Sequence, residues 1–162
     1  MFTTPKKMTH TLRACALLIG YPDASLRGML PSIATALHDE AALSAGRLAE
    51  LEALIEALQQ QAPLDTEAAY VELFDRGRST SLHLFEHVHG DSRDRGPAMI
   101  DLAQTYEKAG LFLSAGELPD YLPVVLEFAS TQPPKEARAF LAEMAHILNA
   151  LFTALVKRES RY

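Results

Sequence analysis

The chain has 162 residues, of which 48% are hydrophobic, and its 15 Lys and Arg against 21 Asp and Glu give a formal net charge of −6. This length and composition suffice for one domain with a buried core, and the acidic balance argues against nucleic-acid binding, which needs a basic face. The single cysteine excludes an intrachain disulfide and any paired-cysteine metal or redox motif. Because Cys15 lies within the apolar run LRACALLIG, we expect a buried, unreactive thiol.

The N-terminal part of the chain predicts two helices. The first has apolar residues at helical spacing, namely Leu12, Cys15, Ala16 and Ile19. Its apolar run is too short and interrupted for a signal peptide, and Gly20-Tyr21-Pro22 ends it. Asp23 is a good N-cap for the second helix, and Pro31 should kink or split it. The inward stripe of that helix is Leu26, Leu30, Ile33 and Leu37.

Two more helices are predicted before the middle of the chain. Ser44 can cap the third helix, and Pro63 ends that region. The inward stripe of the third helix is Leu48, Leu51, Leu54, Ile55 and Leu58. Asp65 then caps a short fourth helix that carries Tyr70 and Phe74. The sequence Arg76-Gly77-Arg78-Ser79 interrupts the helical pattern and predicts a weak, hinge-like break.

The charged stretch after this break predicts two helices separated by a turn. The first covers residues 79–89 and is capped by one of its opening serines. A turn at 90–92 follows, and Asp91 or Asp94 caps the next helix, which Gly110 ends.

The C-terminal part predicts a loop and then further helices. The loop ends where Leu122 begins a helical stripe, Pro133-Pro134 breaks that stripe, and one long helix then runs through Leu155. No alternating β-branched pattern predicts strands. We therefore expect a single all-α domain over residues 1–162, a bundle of about six to eight helices, with frayed ends at 1–8 and 158–162. No stretch approaches the ~20 apolar residues of a membrane span, so a cytoplasmic chain is expected.

Three histidines in the charged stretch raise the possibility of a metal site or an active site. On a helix, His83 and His87 would share one face, as two metal ligands could, whereas His89 would point away. The His-Glu-x-x-His pattern is absent, and a third ligand would have to come from elsewhere. Ser79 and Ser81 lie in no nucleophile motif and are better explained as helix caps. No group of residues requires catalysis, and no metal site or bound cofactor is predicted.

Two local patterns remain, each with a structural and a functional interpretation. Tyr70 and Phe74 are four apart and share a helix face, which is usual for core packing but also suits a binding groove. Ser114 and Glu117 match a capping box, and Asp120 suits a helix N-terminus.

Taken together, these patterns resemble the NarJ group of redox-enzyme maturation chaperones, within the TorD-like superfamily. Tyr70, Leu73 and Phe74 match the superfamily's aromatic-x-x-Leu-Phe motif. The stretch ELPDYLPVVLEF, beginning at Glu117, resembles the second motif in its NarJ form, with Tyr121 in place of the superfamily's His. The LLIGYPD opening and the GDSRDRG segment are also NarJ-like, so the resemblance covers residues from about 10 to 155.

This resemblance implies a chaperone and not an enzyme. NarJ-like proteins bind the N-terminal peptide of the catalytic subunit of respiratory nitrate reductase. They hold the apo-subunit while molybdenum cofactor and iron–sulfur clusters are inserted, before it joins its membrane anchor. They hold no cofactor stably themselves, and molybdenum cofactor delivery proteins are among the further partners implied. No nucleic-acid partner and no membrane span are expected.

The expected peptide site combines apolar anchors with charged residues that hold basic groups of the peptide. Its candidate residues are Tyr70, Leu73, Phe74, Asp75, Arg78, Leu82, Phe85, Glu117, Pro119, Asp120 and Tyr121. Three alternatives stay open: a TorD-like chaperone for a sulfoxide or N-oxide reductase, a metal-binding protein or enzyme using His83 and His87, and a structural subunit of a larger assembly.

Overall fold

The structure is a computed structural model that describes residues 4–162. Within that range it contains eight α-helices and no strand, apart from one isolated antiparallel bridge between His83 and Tyr121. The predicted all-α fold of six to eight helices is confirmed. Part of the predicted frayed N-terminal segment, residues 1–3, lies outside the described residues.

The helices follow one another with short connections, except around the middle of the chain. They are α1 (Thr9–Leu18), α2 (Ala24–Glu40), α3 (Ala45–Gln60), α4 (Pro63–Tyr70), α5 (Arg95–Lys108), α6 (Leu122–Thr131), α7 (Pro134–Glu143) and α8 (Ala145–Lys157). A π turn (Val71–Asp75) continues α4, and a 3-10 turn (Leu84–His87) lies between α4 and α5.

Helices α1, α2 and α3 share one apolar cluster. The predicted stripe of α2 is fully buried there, and the helix begins as expected, because the Asp23 carboxylate accepts the Leu26 N–H at 2.9 Å. Pro31 lies inside α2, which continues across it, so the predicted split does not occur. Ser44 caps α3 through the Arg47 N–H.

The buried side of α1 differs from the predicted stripe. Its buried residues include Leu12, Ala14, Ala16 and Leu18. The helix packs against both α2 and α6, so it is covered on more than one side and a single stripe does not describe it. Cys15 is half-buried rather than fully buried, and burial raises the pKa of its thiol to about 11. At neutral pH the thiol stays protonated and is therefore a poor nucleophile, as expected.

Two predicted caps are wrong. Helix α4 begins after Ala62 with Pro63 in its first turn, so Asp65 lies inside the helix, where the dipole favours an acid. Asp94 occupies the N-cap position of α5, but its side chain makes no capping bond. Instead the Ser92 hydroxyl accepts the Asp94 N–H at 3.2 Å, so the preceding turn is stabilised rather than the helix end.

The long final helix predicted after Pro133-Pro134 is two helices. Helices α7 and α8 meet at Met144 with a bend of 67°. The two helices have partly different neighbours: Ala137 near the start of α7 packs with Leu12 and Ala129, whereas Phe140 and the inward residues of α8 pack at the large central cluster. A straight helix could not bury the apolar faces of both α7 and α8 against these neighbours. Neither Gly nor Pro marks the break.

Among residues 4–162 no single helix has the length and apolar character to cross a membrane. Helices α7 and α8 meet the criteria of length and composition only when taken together as a bent pair, which is weak evidence for a span.

A helix-ending turn follows α8 at the C-terminal residues. The Ser160 N–H donates to the Leu155 carbonyl at 3.1 Å, and the Glu159 N–H donates to the Val156 carbonyl at 3.0 Å. These are the two bonds of a Schellman motif, and Glu159 has the left-handed conformation it requires, with φ +52°. The turn sends Arg158–Tyr162, here called the return segment, back against the body of the protein.

We expect Asp23→Ala to lower the free energy of unfolding by about 1 kcal/mol, because the Leu26 N–H loses its capping acceptor. Asp23→Asn keeps an acceptor oxygen, so it should lower the free energy of unfolding by only a few tenths of that amount. Urea denaturation of the three proteins measures both differences. Equal losses in both variants would contradict the capping role.

Candidate peptide-binding site

The two sequence motifs are joined by a short stretch of backbone pairing. The Leu84 N–H donates to the Asp120 carbonyl at 3.0 Å, and the Leu122 N–H donates to the Leu82 carbonyl at 2.9 Å. Because His83 belongs to this bridge, the helix predicted over residues 79–89 is wrong, and only the 3-10 turn forms there. The pairing places the segment after the first motif directly against the second motif.

Asp120 is the most buried acidic residue of this junction, with no exposed surface. One carboxylate oxygen accepts the Phe85 N–H at 3.0 Å. The other lies 3.9 Å from His83 Nδ1, too far for a hydrogen bond but close enough for an ion pair, and it has no hydrogen-bond partner among residues 4–162. Asp120 therefore ties the start of the 3-10 turn to the loop that precedes α6.

His83 is the ionisable partner of that carboxylate. Its imidazole stacks on the Tyr121 ring with centroids 5.0 Å apart, and 37% of its side chain is exposed. The Asp120 carboxylate raises the pKa of His83 by favouring the protonated ring, and Glu86 adds to the effect, while burial and Arg95 oppose it. A protonated His83 would partly balance the buried charge.

Tyr70 and Phe74 form an aromatic pair in the central cluster. Their ring centroids are 4.7 Å apart, and both residues are buried. The Tyr70 hydroxyl donates to the Ile19 carbonyl at 2.7 Å, which connects α4 to the end of α1. Burial raises the pKa of Tyr70 far above its usual range. Tyr21 and Tyr162 pack on this pair from its outer side.

The break after the π turn is closely packed rather than hinge-like. Thr80 is fully buried, and its hydroxyl donates to the Leu73 carbonyl. A Cβ on Gly77 would lie 2.7 Å from that same carbonyl oxygen, closer than real Cβ atoms approach. Glycine is needed here for close backbone approach, which explains the interruption of the helical pattern.

The predicted site residues divide into a buried group and an accessible group. The buried ones are Tyr70, Phe74, Leu82, Pro119 and Asp120, and the half-buried ones are Leu73, Phe85 and Tyr121. Asp75, Arg78 and Glu117 are exposed. The central apolar cluster unites the hydrophobic members, but in this conformation no peptide reaches the buried ones directly.

The exposed charged candidates are held weakly by the protein itself. Arg78 lies 3.8 Å from Asp91, and both side chains are almost fully exposed, so this ion pair contributes little. The Glu117 carboxylate accepts the Ser114 N–H at 3.0 Å, which is half of the predicted capping box. The residues form a loop turn there, because α6 begins only at Leu122.

Phe85 also faces a surface groove of about 340 Å³ between the 3-10 turn, α5 and α7. Apolar residues form most of its lining, with Val88, Leu102 and Phe140 beside Phe85. Asp101 and Glu143 add acidic groups. The sequence patterns did not predict this groove, although the apolar Val88 within a charged run is a signal that could have drawn attention to it.

The histidines do not form the arrangement that a metal site needs. His87 Nε2 lies 2.7 Å from the Ser81 carbonyl oxygen, to which it donates, and His83 faces Asp120. Residues 4–162 contain no group of three or more His, Cys, Asp or Glu side chains placed to hold a metal ion. The expectation that His83 and His87 share one helix face is wrong, since His83 lies in the isolated bridge and His87 lies in the 3-10 turn.

Known proteins allow the family to be assigned. The sequence profile of the nitrate reductase delta subunit family matches residues 38–162. The chain belongs to this family. It is 47% identical over 145 residues to the nitrate reductase molybdenum cofactor assembly chaperone NarJ of Escherichia coli K12, covering 90% of this chain. The resemblance to the NarJ group is thereby confirmed.

Two further comparisons extend this assignment. The chain is 31% identical over 165 residues to a protein of Bacillus subtilis 168 named as a probable nitrate reductase molybdenum cofactor assembly chaperone, covering 86% of that protein. It spans only 61% of the length of the E. coli relative. A crystal structure from Archaeoglobus fulgidus, proposed to be a redox enzyme maturation protein, matches with a TM-score of 0.62 at 21% identity. That match covers 98% of this chain and 95% of the other, and it supports the fold.

We expect Asp120→Ala to lower the free energy of unfolding by about 1–3 kcal/mol, because it leaves the Phe85 N–H without its acceptor. Asp120→Asn keeps an acceptor oxygen and should cost less. Asp75→Ala, at an exposed position, serves as the control and should stay within about 0.5 kcal/mol of wild type. A wild-type denaturation midpoint for Asp120→Ala would contradict the assigned role.

His83 should make stability depend on pH. Because Asp120 raises its pKa above the unfolded value of 6.5, the protonated ring stabilises the fold fully below that value. This contribution is lost as pH rises through the folded pKa. The stability difference between wild type and His83→Gln, measured by urea denaturation, should therefore shrink as pH rises above 6.5. In an Asp120→Asn background the pH trend should weaken, leaving only the contribution of Glu86, and a stability difference that grows with pH would refute the ion pair.

Proposed function

We propose that this chain is an assembly chaperone for the catalytic subunit of a respiratory nitrate reductase. Family membership supports this role, and the observation that carries it is the similarity over 90% of the chain to a protein named for molybdenum cofactor assembly of nitrate reductase. In this role the chain binds the N-terminal peptide of the subunit. It holds the apo-subunit in the cytoplasm while molybdenum cofactor and iron–sulfur clusters are inserted, before membrane assembly.

The chemistry proposed for the chain is binding and not catalysis. Molybdenum cofactor is then cargo of the client, and cofactor delivery proteins are further partners of the complex. The buried polar atoms of the junction support this view, because Asp120 and His83 are engaged with the protein's own backbone and with each other. Asp120 has no exposed surface, so its carboxylate does not meet a substrate directly.

The proposed peptide surface lies around the aromatic pair and the π turn. The buried rings of Tyr70 and Phe74 form the apolar floor beneath this surface, while Glu72 and Asp75 on the π turn are exposed and acidic. An amphipathic peptide with basic groups fits such a surface, since carboxylates hold basic groups by charge-assisted hydrogen bonds. The net charge of −6 should also accelerate encounter with a basic peptide.

The buried and exposed candidates take different parts in this proposal. Exposed Asp75, Arg78 and Glu117 are placed for first contact with the peptide or for selecting its charge. Asp120 and Pro119 hold the loop in position, and the Pro119 carbonyl does so by accepting the Tyr106 hydroxyl at 2.7 Å. A chaperone for a sulfoxide or N-oxide reductase would use the same helical fold and loop. Binding of one leader peptide rather than another therefore distinguishes the two clients.

Titration calorimetry with the purified protein tests the proposed client. We expect micromolar or tighter binding to a synthetic peptide of roughly the first fifteen residues of the nitrate reductase catalytic subunit from the same organism. A scrambled peptide of equal charge and leader peptides of other molybdoenzymes are the controls. Stronger binding to the leader peptide of another molybdoenzyme would assign that enzyme as the client instead. Absence of binding by the folded protein would refute peptide recognition.

Amide hydrogen exchange on the same complex locates the surface. Protection confined to residues 70–80 and 117–121 is expected for the proposed surface. Protection confined to α5 and α7 would instead place the peptide in the groove beside Phe85, where Asp101 and Glu143 supply the acidic groups.

A further inference from the structure

The return segment covers the aromatic pair of the proposed peptide surface with one ring. The Tyr162 ring meets Phe74 at 5.0 Å and 82° and Tyr70 at 5.9 Å and 73°, both edge-to-face arrangements. Tyr21 meets Tyr70 from another direction at 5.6 Å and 87°. Tyr162 therefore fills a recess lined by Tyr70 and Phe74 and by the apolar cluster that α1, α2 and α3 share. Such edge-to-face contacts are favourable for any aromatic side chain that enters.

The recess accommodates the phenyl part of Tyr162 better than its hydroxyl. That hydroxyl is buried and has no hydrogen-bond partner among residues 4–162. Burial also raises the pKa of Tyr162 to about 12. A buried hydroxyl without a partner loses its bonds to water and gains none in return. A ring without the hydroxyl would avoid this cost, so Tyr162 is a poorly matched occupant.

The rest of the return segment is lightly attached. Arg158, Glu159 and Arg161 are exposed, and Ser160 is half-buried. The chain reversal depends on a left-handed backbone conformation at Glu159, with φ +52°. Residues other than glycine adopt this conformation at a cost in free energy. To leave the recess, the segment gives up the contacts of the Tyr162 ring with Tyr70, Phe74 and the neighbouring apolar cluster and releases one strained turn, while α8 stays in place.

From this geometry we propose that Tyr162 is an internal ligand of the recess, which an aromatic side chain of the client peptide displaces. The recess prefers a phenylalanine-type ring, and the peptide is recognised in part by presenting one. This inference rests on the proposed function and adds the chemistry of the anchor. It also explains how a buried aromatic pair serves a binding surface: the pair packs in the central cluster on its inner side, and a replaceable side chain covers its outer side.

Three forms of residue 162 test the proposal by calorimetric titration with the catalytic-subunit peptide. Tyr162→Ala removes the competing ring and should tighten binding at least about fivefold, provided the protein remains folded. Tyr162→Phe relieves the unpaired hydroxyl and should raise Tm and weaken peptide binding about fivefold or more. Phe152→Ala, which removes an exposed aromatic ring from α8, is the matched control and should leave affinity unchanged. Replacing every aromatic residue of the peptide by leucine should reduce binding to all forms.

The possible outcomes separate the two proposals. Displacement of Tyr162 is supported if Tyr162→Ala binds the peptide most tightly, wild type less tightly and Tyr162→Phe least tightly. If Tyr162→Ala does not fold, the comparison of Tyr162→Phe with wild type decides. Equal affinities across the forms, or weaker binding by Tyr162→Ala, overturn the displacement and leave the chaperone role standing. Absence of binding by every form, including the one with an open recess, overturns both.

Discussion

In a chain that is otherwise helical, the fold depends on the backbone pairing around Asp120. Helices satisfy their own backbone groups, but the two irregular segments after the π turn and before α6 cannot do so and need partners. They find them in each other, through the Leu84 and Leu122 N–H groups and the Asp120 carboxylate. Removing these bonds would leave polar groups without partners inside the central cluster, where each is costly.

The same constraint positions the candidate site. Because the segment after the π turn is held against the loop before α6, the aromatic pair is fixed in the central apolar cluster, with exposed carboxylates on the π turn beside it. Thr80 and Gly77 hold the intervening break closely, so opening at the break would disrupt packed contacts. The return segment is the part that can move at lower cost. A peptide-binding role is then compatible with a rigid core, since the covering side chain changes while the frame does not.

The sequence predicted the parts of the fold that short-range signals encode. Asp23, Ser44 and Gly110 mark helix ends because capping and left-handed conformations need only neighbouring residues. It failed where distant contacts decide. The break at Met144 carries no Gly or Pro, and it accompanies packing of Ala137 near the start of α7 in a cluster that α8 does not join. The failed helix over 79–89 has the same explanation, because His83 pairs with Tyr121 instead.

By itself the sequence determined the helical class, the capped helix ends and the family motifs, since composition, periodicity and motif spacing are properties of the chain alone. Only the tertiary structure decided which motif residues are accessible. Burial depends on what other segments cover, and Tyr70 and Asp120 are enclosed by residues distant in sequence. The return segment illustrates this limit most directly: a polar stretch predicted to fray places Tyr162 on the aromatic pair because α8 ends in a turn directed toward it.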